Sequence, residues 1–187
     1  MLKSAKIPKI YVAAVEQDGR ALKYVSAQNQ TPELCMAAVR QDGEALEYVC
    51  AEARTPEICM AAVQNDVSAL QYVCAQMQTP EICMAAVQQD GMMLEYVCVE
   101  AQMQTPEICL AAVQQYGFAL KYVCAEAQTP EICMAAVQQD GETLRFVKHQ
   151  TPELCMAAVQ QNGKALEYVS RQHLTPELLT AAKQQNV

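Results

Sequence analysis

The chain is written on a period of about 24 residues, and that period limits its fold more than any other feature. Eight prolines mark it: Pro8, Pro32, Pro56, Pro80, Pro106, Pro130, Pro152 and Pro176, at intervals of 24, 24, 24, 26, 24, 22 and 24 residues. The clearest unit runs from Thr31 to Arg54. Near-copies start at Thr55, Thr79, Thr105, Thr129 and Thr151. A degenerate first copy starts near Ile7, and a half copy starts at Thr175. Self-similarity at this spacing marks arrays in which each unit packs only on its neighbours. We expect one repeat domain over residues 1–187, with about seven and a half units.

Each unit reads as two short helices. Thr31 suits an N-cap, because its hydroxyl accepts an orphan backbone N–H. Pro32 suits the first helical position, where no N–H is needed. Glu33 complements the positive end of the helix. The first helix runs on from Leu34, with Leu34, Cys35, Ala38 and Val39 on one face. Asp42-Gly43 is expected to end it, with glycine in the left-handed cap position. A second helix then carries Ala45, Leu46, Tyr48, Val49 and Cys50 inward, and Glu44, Glu47, Ala51 and Arg54 outward, until the next Thr-Pro stops it. Helices of about ten residues are marginal alone in water, so unit must stack on unit. The expected fold is all-α, a right-handed α-solenoid of fifteen helices.

Three irregularities stand out. Five residues normally separate the Tyr-Val (or Phe-Val) pair from the next Thr-Pro; there are seven after Val97 and three after Val147. A bulge is expected at 99–104 and a tightened corner at 148–150. Val67 replaces the turn glycine, so that turn should be strained or end differently. In the last half unit Thr180 and Lys183 replace the usual Met and Val, which gives the polar face of a capping repeat.

The segment from Ala37 to Tyr48, with its Ala-Ala-Val-x-Gln-Asp-Gly-x-Ala-Leu-x-Tyr pattern, resembles the helical-repeat family catalogued as domain of unknown function 4116. That resemblance covers almost the whole chain and implies a fold but no activity. The Thr-Pro-Glu-Leu starts are also similar to the leucine-rich repeat variant, which alternates α- and 3₁₀-helices. This second resemblance leaves open whether one helix per unit is partly 3₁₀.

Composition narrows the function. Net charge is -8. Residues 1–54 hold 7 basic and 7 acidic groups, residues 55–120 hold 0 and 7, and residues 121–187 hold 6 and 7. A phosphate backbone would be repelled from the middle third, so no nucleic-acid partner is expected. No apolar run approaches the ~20 residues of a membrane span, and no signal-peptide core opens the chain. A cytoplasmic monomer is expected, with no membrane partner. His149 and His173 fall in linkers. The phased Glu33, Glu57, Glu81, Glu107, Glu131, Glu153 and Glu177 are accounted for as partners of helix starts. No phosphate loop or catalytic constellation is present, and neither enzyme activity nor a cofactor is expected.

The ten cysteines are phased. Cys35, Cys59, Cys83, Cys109, Cys133 and Cys155 fall in first helices; Cys50, Cys74, Cys98 and Cys124 fall in second ones. The favoured reading is small apolar core filler. Two alternatives remain: a structural disulfide across each hairpin, which the expected cytosolic setting disfavours, and a soft-metal or redox-sensing protein using the pairs Cys35/Cys50, Cys59/Cys74, Cys83/Cys98 and Cys109/Cys124, with Met36, Met60, Met84, Met134 and Met156.

If the unit is scaffolding, function lies where units differ. On the outward stripe of the second helix the first two positions run Arg20/Lys23, Glu44/Glu47, Ser68/Gln71, Met92/Glu95, Phe118/Lys121, Glu142/Arg145 and Lys164/Glu167. In the middle third Met92, Val99 and Phe118 would form an apolar patch rimmed by acids. The expected function is a non-catalytic protein-interaction scaffold. Its contacts are Met92, Glu95, Val99, Phe118, Lys121, Glu47 and Gln71, and its partner is a protein or peptide with a basic and apolar surface.

Overall fold

In the computed structural model the described residues are 9–99 and 102–185. The expected start of the first unit near Ile7 lies outside them. Each repeat opens on an α-helix: α1 (Lys9–Gln17), α2 (Pro32–Gln41), α3 (Pro56–Asn65), α4 (Pro80–Gln89), α5 (Pro106–Gln115), α6 (Pro130–Gln139), α7 (Pro152–Gln161) and α8 (Pro176–Gln185). The Thr hydroxyl ahead of each proline in α2 to α8 accepts the N–H of the third helical residue, as Thr31 does from Leu34 at 3.4 Å.

The second helix of each repeat answers the question left open by the second resemblance. It is a six-residue 3₁₀ helix: Gly19–Tyr24, Gly43–Tyr48, Val67–Tyr72, Gly91–Tyr96, Gly117–Tyr122, Gly141–Phe146 and Gly163–Tyr168. Among the described residues eight α-helices and these seven 3₁₀ helices make fifteen elements, and four three-residue 3₁₀ turns add to them. A 3₁₀ helix has three residues per turn, so residues i and i+3 eclipse. Gly43, Leu46 and Val49 therefore line one buried ridge, while Glu44 and Glu47 stand off it. The bonds agree, with Ala45 N–H on the Asp42 carbonyl and Val49 N–H on the Leu46 carbonyl.

One residue joins the two helix types. Asp42 is extended (φ -148°, ψ 113°); its N–H closes α2 on the Ala38 carbonyl while its side chain accepts the Glu44 N–H. The chain thus turns without a left-handed residue, and no described glycine has a positive φ. The expected role of Gly43 as a left-handed cap is incorrect. What Gly43 provides is closeness: a Cβ there would lie 2.6 Å from the Ala62 carbonyl oxygen of the next repeat and 2.7 Å from Asp66 Cβ. The turn carrying Val67 keeps the common form, with Asp66 capping the Ser68 N–H.

Contacts group the chain into two compact units, Met1–Ala86 and Val87–Val187. In the first, α1 packs on α2 and α2 on α3; in the second, α5 packs on α6, α6 on α7 and α7 on α8. Each unit is a short stack of neighbours, as a solenoid requires. The expected core positions hold: Leu34, Cys35, Ala38 and Val39 are buried, as are their counterparts from α3 to α7. In α8 the Thr180 and Lys183 side chains are exposed.

The length changes are absorbed in the linkers. After Val147 the chain bends straight into α7 without the short 3₁₀ turn found in four other linkers. In the long linker, Gln102 takes a left-handed conformation (φ 56°) and donates its N–H to the Val99 carbonyl. Residues 100 and 101 of the expected bulge lie outside the described set.

Two outcomes follow from this packing. Gly43→Ala forces carbonyl and side chain apart and should cost about 1–3 kcal/mol, read as a lower urea midpoint with an unchanged slope; an unchanged midpoint would contradict the close approach. The second concerns acid. Bonds from its own N–H and from Thr31 hold the Glu33 carboxyl below the usual carboxylate range. Glu81, Glu107, Glu153 and Glu177 are lowered in the same way, and Glu57 chiefly by Thr55. A pKa lower in the folded chain gives stability that is present above the unfolded value, roughly 4.3, and lost as pH falls through the folded one. Urea midpoints should be flat near neutrality and fall progressively below about pH 4.5.

Candidate partner-binding surface

The threefold period of the 3₁₀ helix sets which side chains face outward. Along its outer edge Lys23, Glu47 and Gln71 are exposed in the first unit; Glu95, Lys121, Arg145 and Glu167 are exposed in the second. The position one residue after the glycine is half-buried at Glu44, Ser68, Met92, Phe118 and Glu142 and exposed at Arg20 and Lys164. In the first unit the Arg20 guanidinium bonds Asp42 at 2.7 Å and also Glu44, and the Ser68 hydroxyl reaches Glu44 at 3.4 Å. Glu44 is half-buried, which takes it off the expected solvent stripe.

The expected contact residues divide into groups. Glu47 and Gln71 are exposed as read, with Gln71 bonded to the Ser68 carbonyl. Glu95 and Lys121 meet at Tyr122, whose hydroxyl donates to Glu95 at 2.9 Å while the Lys121 ammonium lies 4.3 Å from the ring centroid. Val99 is 47% exposed and lines a groove of about 530 Å³ with Gln102, Gln104, Pro106, Cys124 and Ala127.

Met92 and Phe118 are half-buried, so the expected open apolar patch is not formed by them. Phe118 stacks on Tyr116 (5.6 Å between centroids, 24°) and meets Phe146 edge-on (6.1 Å, 72°). The Arg145 guanidinium covers this cluster, 5.4 Å from the Phe118 centroid, 4.7 Å from Phe146 and 5.8 Å from Tyr168.

Sequence reasoning passed over the glutamine that precedes five of the seven Thr-Pro pairs as linker. Gln128 Nε2 donates to the carbonyls of Val123 in its own repeat and Phe146 in the next, while its Oε1 accepts the Lys148 N–H at 2.9 Å. Gln30 does the same to Val25, Tyr48 and Cys50, and Gln150 serves Leu144, Tyr168 and Ser170. Arg54 stands at the glutamine position and donates to the Leu46, Val49 and Tyr72 carbonyls; the expectation that it lies on the solvent stripe is wrong. A second amide clamp closes the helix ends. Asn65 takes the Gly43 N–H at 2.8 Å and gives its own to the Arg40 carbonyl at 2.8 Å. Gln139 and Gln161 repeat it at Gly117 and Gly141. Phasing of these amides was the available signal.

None of the ten cysteines is in a disulfide. Cys35, Cys59, Cys83, Cys109, Cys133 and Cys155 are buried; Cys50, Cys98 and Cys124 are half-buried and Cys74 is exposed. Burial pushes the Cys35 and Cys109 thiols up to about 12 and Cys59 to about 11, where Arg54 pulls the other way. Cys133 and Cys155 are raised for the same reason. Cys50, Cys74 and Cys124 push Cys35, Cys59 and Cys109, respectively, further up, so three of the four expected pairs, Cys35/Cys50, Cys59/Cys74 and Cys109/Cys124, lie near one another. Among the described residues no three His, Cys, Asp or Glu side chains gather as a metal cradle.

Taken together, alternating α- and 3₁₀-helices clamped by phased amides define a helical-repeat protein. The chain belongs to the family described as domain of unknown function (DUF4116), whose model matches residues 31–78, 55–100 and 129–174. Curated proteins and solved structures give no match. Among the described residues no helix is long and apolar enough to cross a membrane.

The thiols allow a direct check. With an aromatic disulfide reagent at pH 8, Cys74 should react fastest, Cys50, Cys98 and Cys124 next, and the six α-helical thiols only on unfolding. Rapid loss of all ten in the native state would contradict the burial described.

Proposed function

We propose that the chain is a non-catalytic protein-interaction scaffold, engaging a protein or peptide partner through the outer edge of its 3₁₀ helices. The observation that carries this is a division of labour along the repeat. Buried side chains recur from unit to unit, whereas the exposed ones at Lys23, Glu47 and Gln71, and at Glu95, Lys121 and Arg145, change in charge and size. A frame repeated with a varied edge is how helical arrays encode a partner. Where the partner meets Glu95 and Val99 it presents basic and apolar groups. The clamps hold the edge in place before binding, which lowers the ordering cost. Burial raises the Cys35, Cys59 and Cys109 thiols and disfavours their thiolates, which counts against the metal or redox alternative.

Site-specific photocrosslinking tests the reading. A benzophenone residue at Gln71 or Lys121 should give one discrete adduct in cells, and the same residue at Gln64 or Gln138, both on α-helices, should not. Glu95→Lys should then weaken the partner so identified by about tenfold. Equal adducts from both sets, or a partner indifferent to Glu95→Lys, would sink the proposal.

A further inference from the structure

We propose that Arg145, with Tyr116 and Phe118, is a docking point for a partner segment carrying a carboxylate side chain next to an aromatic one. This rests on the scaffold reading and names a second, oppositely charged contact within it.

The first support is that departures from the repeat cluster there. The residue before the glycine, or before Val67 in the repeat that lacks one, is Asp or Asn at positions 18, 42, 66, 90, 140 and 162, and each caps the N–H two residues on. Tyr116 keeps the same backbone (φ -152°, ψ 111°) but makes no such bond. It gives up a cap and lays a ring, 45% exposed, on Phe118. Phe118 occupies a position that is Arg, Glu, Ser, Met, Glu or Lys elsewhere, and Phe146 one that is Tyr elsewhere. Three replacements that favour bare rings thus meet on one surface.

The second support is the state of the guanidinium. Arg20, in the other unit, spends its donors on Asp42 and Glu44. Arg145 has three aromatic neighbours and, among the described residues, neither an ion pair nor a hydrogen bond. Ring contact holds a guanidinium flat and leaves its in-plane N–H groups free, which suits bidentate capture of a carboxylate. Exposed Lys121 and Lys164, in the repeats before and after, add positive charge, while Glu142 and Glu167 on the neighbouring edge disfavour a polyanion such as a nucleic acid. A single carboxylate on Arg145 places the adjoining side chain over Tyr116, where an aromatic group extends the stack.

Selection of a random heptapeptide display library on the full chain tests this. Recovered peptides should carry Asp or Glu beside Phe, Tyr or Trp. Synthetic copies should bind at least about tenfold more weakly to Arg145→Gln and to Arg145→Lys, which keeps the charge but loses the fork. Binding to Arg171→Gln should be unchanged, and circular dichroism should confirm that each variant is folded. Acid-free peptides, or binding indifferent to Arg145, would overturn the inference. If the peptides are instead basic and apolar and are lost on Glu95→Lys, the scaffold reading survives and this contact falls. A library that yields no binder removes both.

Discussion

Adjacent repeats come so close that a backbone carbonyl of one lies where a side chain of its neighbour would begin. At Gly43 the carbonyl oxygen of Ala62 occupies the space of a Cβ, and other features of the repeat serve that closeness. Apolar burial alone would bring helices to the usual 8–10 Å between axes. A slim 3₁₀ helix with a glycine at its start lets backbone meet backbone. The polar groups so trapped then need partners, since a buried unpaired N–H or carbonyl is costly. The amides of Asn65, Gln139 and Gln161 serve them at the helix ends, and those of Gln30, Gln128 and Gln150 at the linkers.

Much of this was legible in advance, and what was not has a physical cause. Thr31, Pro32 and Glu33 fix a helix start because each acts on its own local backbone. The second helix was harder. Over six residues the periods 3.0 and 3.6 place the same Leu46 inward and the same Glu47 outward, so pattern alone does not separate a 3₁₀ helix from an α-helix. Gly43 misled because glycine serves two unrelated ends, a left-handed backbone and a missing Cβ, and only the neighbouring repeat shows which is needed. Phe118 looked exposed on the stripe because its cover, Arg145, comes from the next repeat.

The cysteines illustrate the same point from the chemical side. Their phasing suggests a site, yet the six α-helical ones are buried, and burial raises the thiols of Cys35, Cys59, Cys109, Cys133 and Cys155. Phase in a repeat protein records position in the unit before it records chemistry. Departures from phase, such as Tyr116 in place of Asp or Arg54 in place of Gln, are the more informative residues, because the frame does not ask for them.

The linker clamps reach into the next repeat through its main chain. Gln128 bonds the Phe146 carbonyl and the Lys148 N–H, and Gln30 the Tyr48 carbonyl and the Cys50 N–H. Main-chain atoms are the same whatever residue carries them. At the linker clamp a unit therefore does not need to recognise the side chains of its neighbour, and a duplicated or exchanged unit can keep this part of the joint unchanged. Such a gene can lengthen by unequal crossing-over and diversify its outer edge afterwards, copy by copy, with the fold already paid for.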